Sequence, residues 1–345
     1  MKRSGWFIAA TVAALAPALT LAQTWPSKPI RAVIPFAAGS LTDVLPRVVF
    51  DPAGKALGQT IVVENRTGAG GTIGVAAVAK AEPDGHTLLA NSSAHTIAPA
   101  IYPNLSYDTA RDLTGVISLG VSPLVMIMAP SKGHKTVQDF VKHAKAKPDS
   151  INFTSAGVGT ATHLAAERFI HAAGIKAVHV PHRGGAEAMT DVIAGRVDFY
   201  FCPIGTAVPQ ITAGRVLALA VSSPKRATAL PNVPSTLEAG YPNSDYSFWV
   251  GVFVPARTSG AIVERLHREM RTAMQIPAVK ARLAELGADP MDMSSAQFDA
   301  LVKKEIVTSP GQSGWPEAEL IRLREDLMII QRPRHGTRSC ALINR

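Results

Sequence analysis

Cysteine is nearly absent from this sequence: Cys202 and Cys340 are the two in 345 residues. That excludes a disulfide framework and a cysteine-rich metal site. Aromatic residues make up 6% and charged residues 18%. The net charge of +9 is dispersed, and no Lys/Arg run between residues 23 and 308 exceeds two. With neither clustered base nor an aromatic stripe, the sequence argues against nucleic acid as a partner. There is no Gly-x-Ser-x-Gly elbow and no His-Glu-x-x-His. Gly68-Ala69-Gly70-Gly71-Thr72-Ile73-Gly74 misses both the dinucleotide fingerprint and the Lys-Ser/Thr of a P-loop. His179 and His182 stand on a strand and its exit with no third ligand at metal spacing, so neither a metal nor a cofactor is expected.

What is present is ample core material, 47% hydrophobic, with 27 Gly and 25 Pro scattered rather than periodic. A chain of this size fits two domains. Long apolar runs occur once, at the start. Lys2 and Arg3 precede an apolar stretch from Trp6 to Leu19, then Thr20-Leu21-Ala22 before Gln23. This spacing predicts a secretory signal, residues 1–22, cut after Ala22. Pro17 and the shortness of the run argue against a spanning anchor, which needs about 20 apolar residues.

Beyond it, β-branched runs alternate with Ala-rich amphipathic stretches. Strands are expected at Ile30–Phe36, Thr60–Glu64 and His86–Ala90, with helices at Thr42–Leu57 and Gly74–Ala81 between them. This is a βαβαβ pattern with a parallel sheet. The pattern repeats with helices at Thr136–Lys147, Thr160–Ala173 and Ala186–Ala194. The alternating strands are Ile151–Thr154, Ala177–Val180, Val197–Phe201 and Val216–Val221. Gly120 and Pro123 divide Val116–Pro130 into two strand-sized pieces, and Tyr246–Val254 looks extended. Three terminal helices follow, at Ser259–Gln275, Ala278–Leu286 and Ser295–Val307. Two similar units joined by two crossovers predict lobe 1 from residues 23–125 plus 250–308 and lobe 2 from residues 126–249. Residues 309–345 form an atypical Arg-rich tail without clear periodicity, which reads as aberrant or, alternatively, as a genuine extension that binds a partner.

Several strand ends open into small-residue turns leading to helices. In open α/β sheets ligands bind outside such carboxyl ends. Small residues let backbone N–H groups approach an anion, and a helix N-terminus adds about half a positive charge. The candidate ligand-binding residues are Ala37, Ala38, Gly39, Ser40 and Thr42 in the first turn and Ser92 in the second. The third turn supplies Ser155, Ala156, Gly157, Gly159 and Thr160, and the fourth supplies His182. The competing reading is that Ser40 or Thr42, and Thr160, are ordinary N-caps. Asp198, on a short strand, either bonds a neighbouring turn or faces a ligand amine.

At these residues the chain resembles the tripartite tricarboxylate transporter substrate-binding proteins, the Bug/TctC family of extracytoplasmic solute receptors. The likeness is carried by Trp25-Pro26-Ser27-Lys28-Pro29-Ile30, by Pro35-Phe36 with Asp43, and by Val62-Val63-Glu64-Asn65-Arg66. It continues through Pro83-Asp84-Gly85-His86, Gly159-Thr160 with His163-Leu164, His179-Val180-Pro181, Gly195-Arg196-Val197-Asp198 and Leu230-Pro231-Asn232-Val233-Pro234. The resemblance implies an α/β, two-lobed type II periplasmic-binding fold, each lobe a mostly parallel sheet flanked by helices, with two hinge crossovers. It implies a non-enzymatic, periplasmic, monomeric receptor that closes on a small carboxylate (a dicarboxylate, amino acid or aromatic acid) and delivers it to membrane permease subunits. Three departures stand out: Ser40-Leu41 interrupts the usual Gly run, Pro46 replaces Ala, and His182-Arg183 stands where Tyr-Lys is common.

Two alternatives come from other classes: a ligand sensor for a signalling partner, and an exported hydrolase using Ser155 and His163. If His182 lines the cleft, affinity for a carboxylate should rise as pH falls through about 6.5.

Overall fold

The computed structural model describes residues 25–148, 150–307, 317 and 320–325. The signal-segment reading therefore lies outside the described residues. The strands are β1 (Ile30–Ile34), β2 (Ile61–Asn65), β3 (Thr87–Ser92), β4 (Leu113–Ser122), β5 (Leu124–Met128), β6 (Asn152–Ser155), β7 (Val178–Pro181), β8 (Phe199–Pro203), β9 (Leu217–Val221) and β10 (Phe248–Pro255). The helices are α1 (Leu41–Leu57), α2 (Thr72–Ala79), α3 (Ala94–Ile101), α4 (Val137–Ala146), α5 (Ala161–Ala173), α6 (Gly185–Ile193), α7 (Ile204–Thr212), α8 (Gly260–Gln275), α9 (Pro277–Glu285) and α10 (Ser295–Glu305).

Local chemistry explains the element ends. Gly58 at φ 75° and Gly174 at φ 60° take the left-handed conformation that closes α1 and α5. Pro46 and Pro52 both lie inside α1, which continues through them. Strand β1 is buried except at Arg31, as a strand covered on both faces should be.

Two five-stranded sheets form, in the orders β2-β1-β3-β10-β4 and β7-β6-β8-β5-β9. The two-lobed α/β fold is as expected. Each sheet is mixed, with four of its five strands running in one direction. β1, β2 and β3 are parallel, as are β6, β7 and β8. The strands next to the crossovers, β10 and β5, pair antiparallel to their neighbours. The chain leaves the first sheet at Pro123, between β4 and β5, and returns between β9 and β10. Ser222 secures this crossing: its hydroxyl accepts from the Leu124 amide at 3.2 Å and donates to the Tyr246 carbonyl at 3.0 Å.

Over residues 320–325 the patternless reading of the tail is corrected. They form a helical turn, and Leu320 and Leu323, three apart, are buried in the main apolar cluster. Arg322 pairs with Glu167 of α5 at 3.1 Å, while the Arg324 guanidinium donates to the Ala100 carbonyl of α3 at 2.7 Å. The turn thus touches helices of both lobes.

One buried group links the fold to pH. His95 of α3 packs against Phe253 with ring centroids 5.2 Å apart, and neither ring nitrogen has a partner among the described residues. Burial lowers its pKa from 6.5 to about 4. The unfolded chain therefore takes up a proton below pH 6.5 that the folded chain refuses until about pH 4. Stability contributed by neutral His95 is full above pH 6.5 and is lost on acidification towards pH 4, by at most a few kcal/mol, roughly 1.4 per pH unit. In denaturant titrations, His95→Phe should lose less stability than wild type between pH 7 and pH 4.5. Parallel pH profiles for the two proteins would contradict this.

Candidate functional site

A cavity of about 290 Å³ lies between the lobes. Its walls come from the ends of parallel strands in both sheets. Phe36 to Thr42 follow β1, and Ser92 ends β3. Ala156 and Thr160 to Thr162 follow β6, while Arg183 to Ala186 follow β7. Tyr200, Pro203 and Thr206 belong to β8 and the start of α7, and Phe248 begins β10. Parallel strands of one direction put their exits on one edge, so two such sheets facing each other bring these turns together. The lobes approach closely here: a Cβ on Gly184 would lie 4.0 Å from the Ala37 Cβ, and one on Gly159 would lie 3.4 Å from the Tyr102 hydroxyl.

Three helices, α1, α5 and α6, point their first turns into the cavity, through Leu41 and Thr42, Ala161 and Thr162, and Gly185 and Ala186. First-turn amides have no intrahelical acceptor. At α4 and α10 a side chain supplies one, whereas α2, α3, α7, α8 and α9 start without a side-chain cap. The Thr136 hydroxyl accepts from the Asp139 amide at the start of α4, and Ser294 forms a capping box at the start of α10. The three cleft helices are not capped in this way. Ser40 and Thr160 occupy the N-cap positions with extended backbones, yet neither side chain bonds a first-turn amide, and the N-cap of α6 is Gly184. The Ser40 hydroxyl is buried without a partner, and that of Thr160 donates to the Gly157 carbonyl at 2.7 Å. Six amides, those of Leu41, Thr42, Ala161, Thr162, Gly185 and Ala186, thus have no acceptor among the described residues. Ser40 and Thr160 are thus N-caps by position but not by bond.

The turns themselves are held from behind. In each of the three helices the third residue reaches back to the amide preceding the N-cap. Asp43 accepts from Gly39 at 2.8 Å, His163 from Gly159 at 3.1 Å, and Glu187 from Arg183 at 3.1 Å. Gly39 at φ 81° and Gly159 at φ 74° adopt a left-handed backbone here, while Arg183 makes the same contact without one. Asp43 is also bonded by Arg47 at 2.9 Å and by Asn65 at 2.8 Å, and Asn65 donates to the Phe36 carbonyl.

Charge in the lining is minimal. Among the described lining residues Arg183 alone is charged, and no carboxylate takes part. Burial pushes the Tyr200 phenol well above its ordinary range, so it remains a neutral donor. Phe36, Leu41, Tyr200, Pro203 and Phe248 add apolar surface to the lining. Such a cavity suits a small anion with an apolar body.

Of the expected site residues, Ala37, Ala38, Gly39, Ser40, Thr42, Ser92, Ala156 and Thr160 line the cavity. Ser155, Gly157 and Gly159 are corrected to supports behind it. The Ser155 hydroxyl is bonded to the Gly157 amide at 3.1 Å and to His179 Nε2 at 2.7 Å. That partner is His179 rather than His163, and Ser155 is fully buried outside the lining, which leaves the hydrolase arrangement without a basis. Asp198 is corrected to a structural carboxylate. It precedes β8, at the end away from the cleft, where it pairs with Lys132 at 2.7 Å and accepts from the Asn152 amide at 2.7 Å. His182 also lies outside the lining, with Nε2 3.0 Å from Asp191 and Nδ1 3.8 Å from Glu187. Sequence reasoning missed Ala161, Thr162 and Gly185, whose signal is the first turn after an N-cap rather than the cap itself. It also missed Tyr200, Thr206 and Phe248, which lie on strands and helices with no local motif.

A family model described as "Tripartite tricarboxylate transporter family receptor" matches residues 45–310. The chain is 37% identical over 284 residues to a UPF0065 protein of the tcbD-tcbE intergenic region of Pseudomonas sp. strain P51, covering 80% of this chain and 84% of that protein. It is similar in structure to MatC of Rhodopseudomonas palustris with bound malate, at TM-score 0.75 and 29% identity, covering 88% of this chain and 100% of that one. A second R. palustris protein, solved with adipate, has TM-score 0.77 and 28% identity over 88% of this chain and 98% of its own.

His182 is thus engaged with α6 rather than with the cavity, contrary to the expectation drawn from the sequence.

Proposed function

The chain belongs to the tripartite tricarboxylate transporter receptor family, and on that premise we propose that it is an exported, monomeric solute receptor. It captures a small carboxylate between its lobes in the periplasm and presents it to membrane permease subunits. The observation that carries this reading is the convergence of three uncapped helix starts on one interlobe cavity. Each contributes N–H donors and a partial positive charge, which favour an anion. Ser40, with its unpartnered hydroxyl, adds a neutral donor. The malate and adipate held by related proteins are acids of the kind such donors accept.

The same lining narrows the ligand. An ammonium group would find no carboxylate among the described lining residues, which disfavours an amino acid relative to a plain acid. The apolar surface accommodates an alkyl or aromatic body, and Arg183 supplies one cation for a second acidic group.

Calorimetry and thermal shift with malate, adipate and benzoate test the proposal. Binding of at least one acid should stabilise the protein by about 2.7 kcal/mol at a hundredfold excess over Kd. Arg183→Ala should weaken the dicarboxylates by about tenfold while changing benzoate little. Wild-type protein that binds an amine or sugar in the cleft, and none of these acids, would overturn the reading.

A further inference from the structure

The proposed function leaves one buried imidazole unexplained. His163 is fully buried, and its Nδ1 accepts the Gly159 amide. Asp43 and Glu187 perform the same reach in α1 and α6 with carboxylates. His163 alone does it with a group that is neutral in its acceptor form.

Its surroundings explain the difference. His163 Nε2 lies 3.7 Å from Glu167 Oε1, and the Glu167 side chain is 2% exposed and paired with Arg322. A carboxylate at position 163 would set a second buried negative charge against Glu167, a costly arrangement. The imidazole avoids that charge. Its ring is also clamped, stacked on His179 with centroids 3.9 Å apart, and the other ring of the stack holds the Ser155 hydroxyl at 2.7 Å. Both residues that bracket the β6–α5 turn, Ser155 and Gly159, are therefore fixed by one pair of stacked imidazoles.

We propose that His163 is a positioning residue of the cleft. As the tautomer with a bare Nδ1 it holds the Gly159 amide and sets the turn from Ala156 to Thr160. The first-turn amides of Ala161 and Thr162 are thereby left aimed at the ligand. The inference rests on the solute-receptor reading for its affinity readout only.

A histidine that merely fills core space would be replaceable by any side chain of similar bulk, and the acceptor role would not. Asn places a carbonyl oxygen where Nδ1 stands, Gln carries it one methylene further, and Leu removes it. Nitrogen-15 NMR of the wild-type protein should show His163 Nδ1 unprotonated and the Gly159 amide protected from exchange. Calorimetry with malate and adipate should find His163→Asn within about threefold of wild type, and His163→Gln and His163→Leu weaker by about tenfold or more. Circular dichroism confirms that each variant is folded; if the Leu variant is not, the Asn and Gln pair decides. The proposal is overturned by a protonated Nδ1, by a Gln or Leu variant that binds as wild type does, or by an Asn variant that binds as weakly as Gln or fails to fold. Wild type binding neither acid would count against the receptor reading, while the tautomer and the Gly159 exchange rate still decide the role of His163.

Discussion

Main-chain amides without acceptors cost free energy wherever water is scarce, and proteins ordinarily cap them. This protein leaves six such amides at the walls of a single cavity. Everything else about the site follows from that retained hydrogen-bonding capacity. The donors are neutral and belong to the backbone, so they cannot rotate away. Their combined field comes from helices anchored by their own burial. An anion entering between the lobes meets groups that need no rearrangement.

Donors of this kind are useful only if the turns before them stay in place. The three cleft helices share one solution, in which the third helical side chain ties down the amide ahead of the N-cap. It resembles a capping box displaced by one residue. The displacement matters, because a conventional cap would take up first-turn amides of residues that line the cavity. Ser40 and Thr160 hold the extended backbone a helix start needs, and their hydroxyls leave the first turn open.

Much of this was legible in the sequence. Gly58 and Gly174 mark helix ends, Pro123 marks the crossing, and the small-residue turns after β1 and β6 mark the cleft; these are local signals with local causes. What stayed hidden depends on distance or on weak punctuation. α3 and α7 carry Pro99 and Pro209 and lack capping side chains, so their helical character is decided by packing. Asp198 could not be assigned because its cation, Lys132, is 66 residues away, and the strand direction that puts it far from the cleft is a property of the sheet. His182 and Arg183 are adjacent, yet only Arg183 lines the cavity, while His182 turns to Asp191 on α6.

Closure imposes a last constraint, and it falls on side-chain size. Gly159 sits beside Tyr102 of the opposite lobe, and Gly184 faces Ala37 across the same gap. A Cβ at either place would already be in van der Waals contact across the gap, so there is little room for a larger side chain. At Gly159 a second feature coincides with the first, since its backbone is left-handed and its amide donates to His163. One residue without a side chain thus serves both the approach of the lobes and the orientation of the turn. Any substitution there strains the backbone even where space remains, so the two requirements cannot be relieved separately.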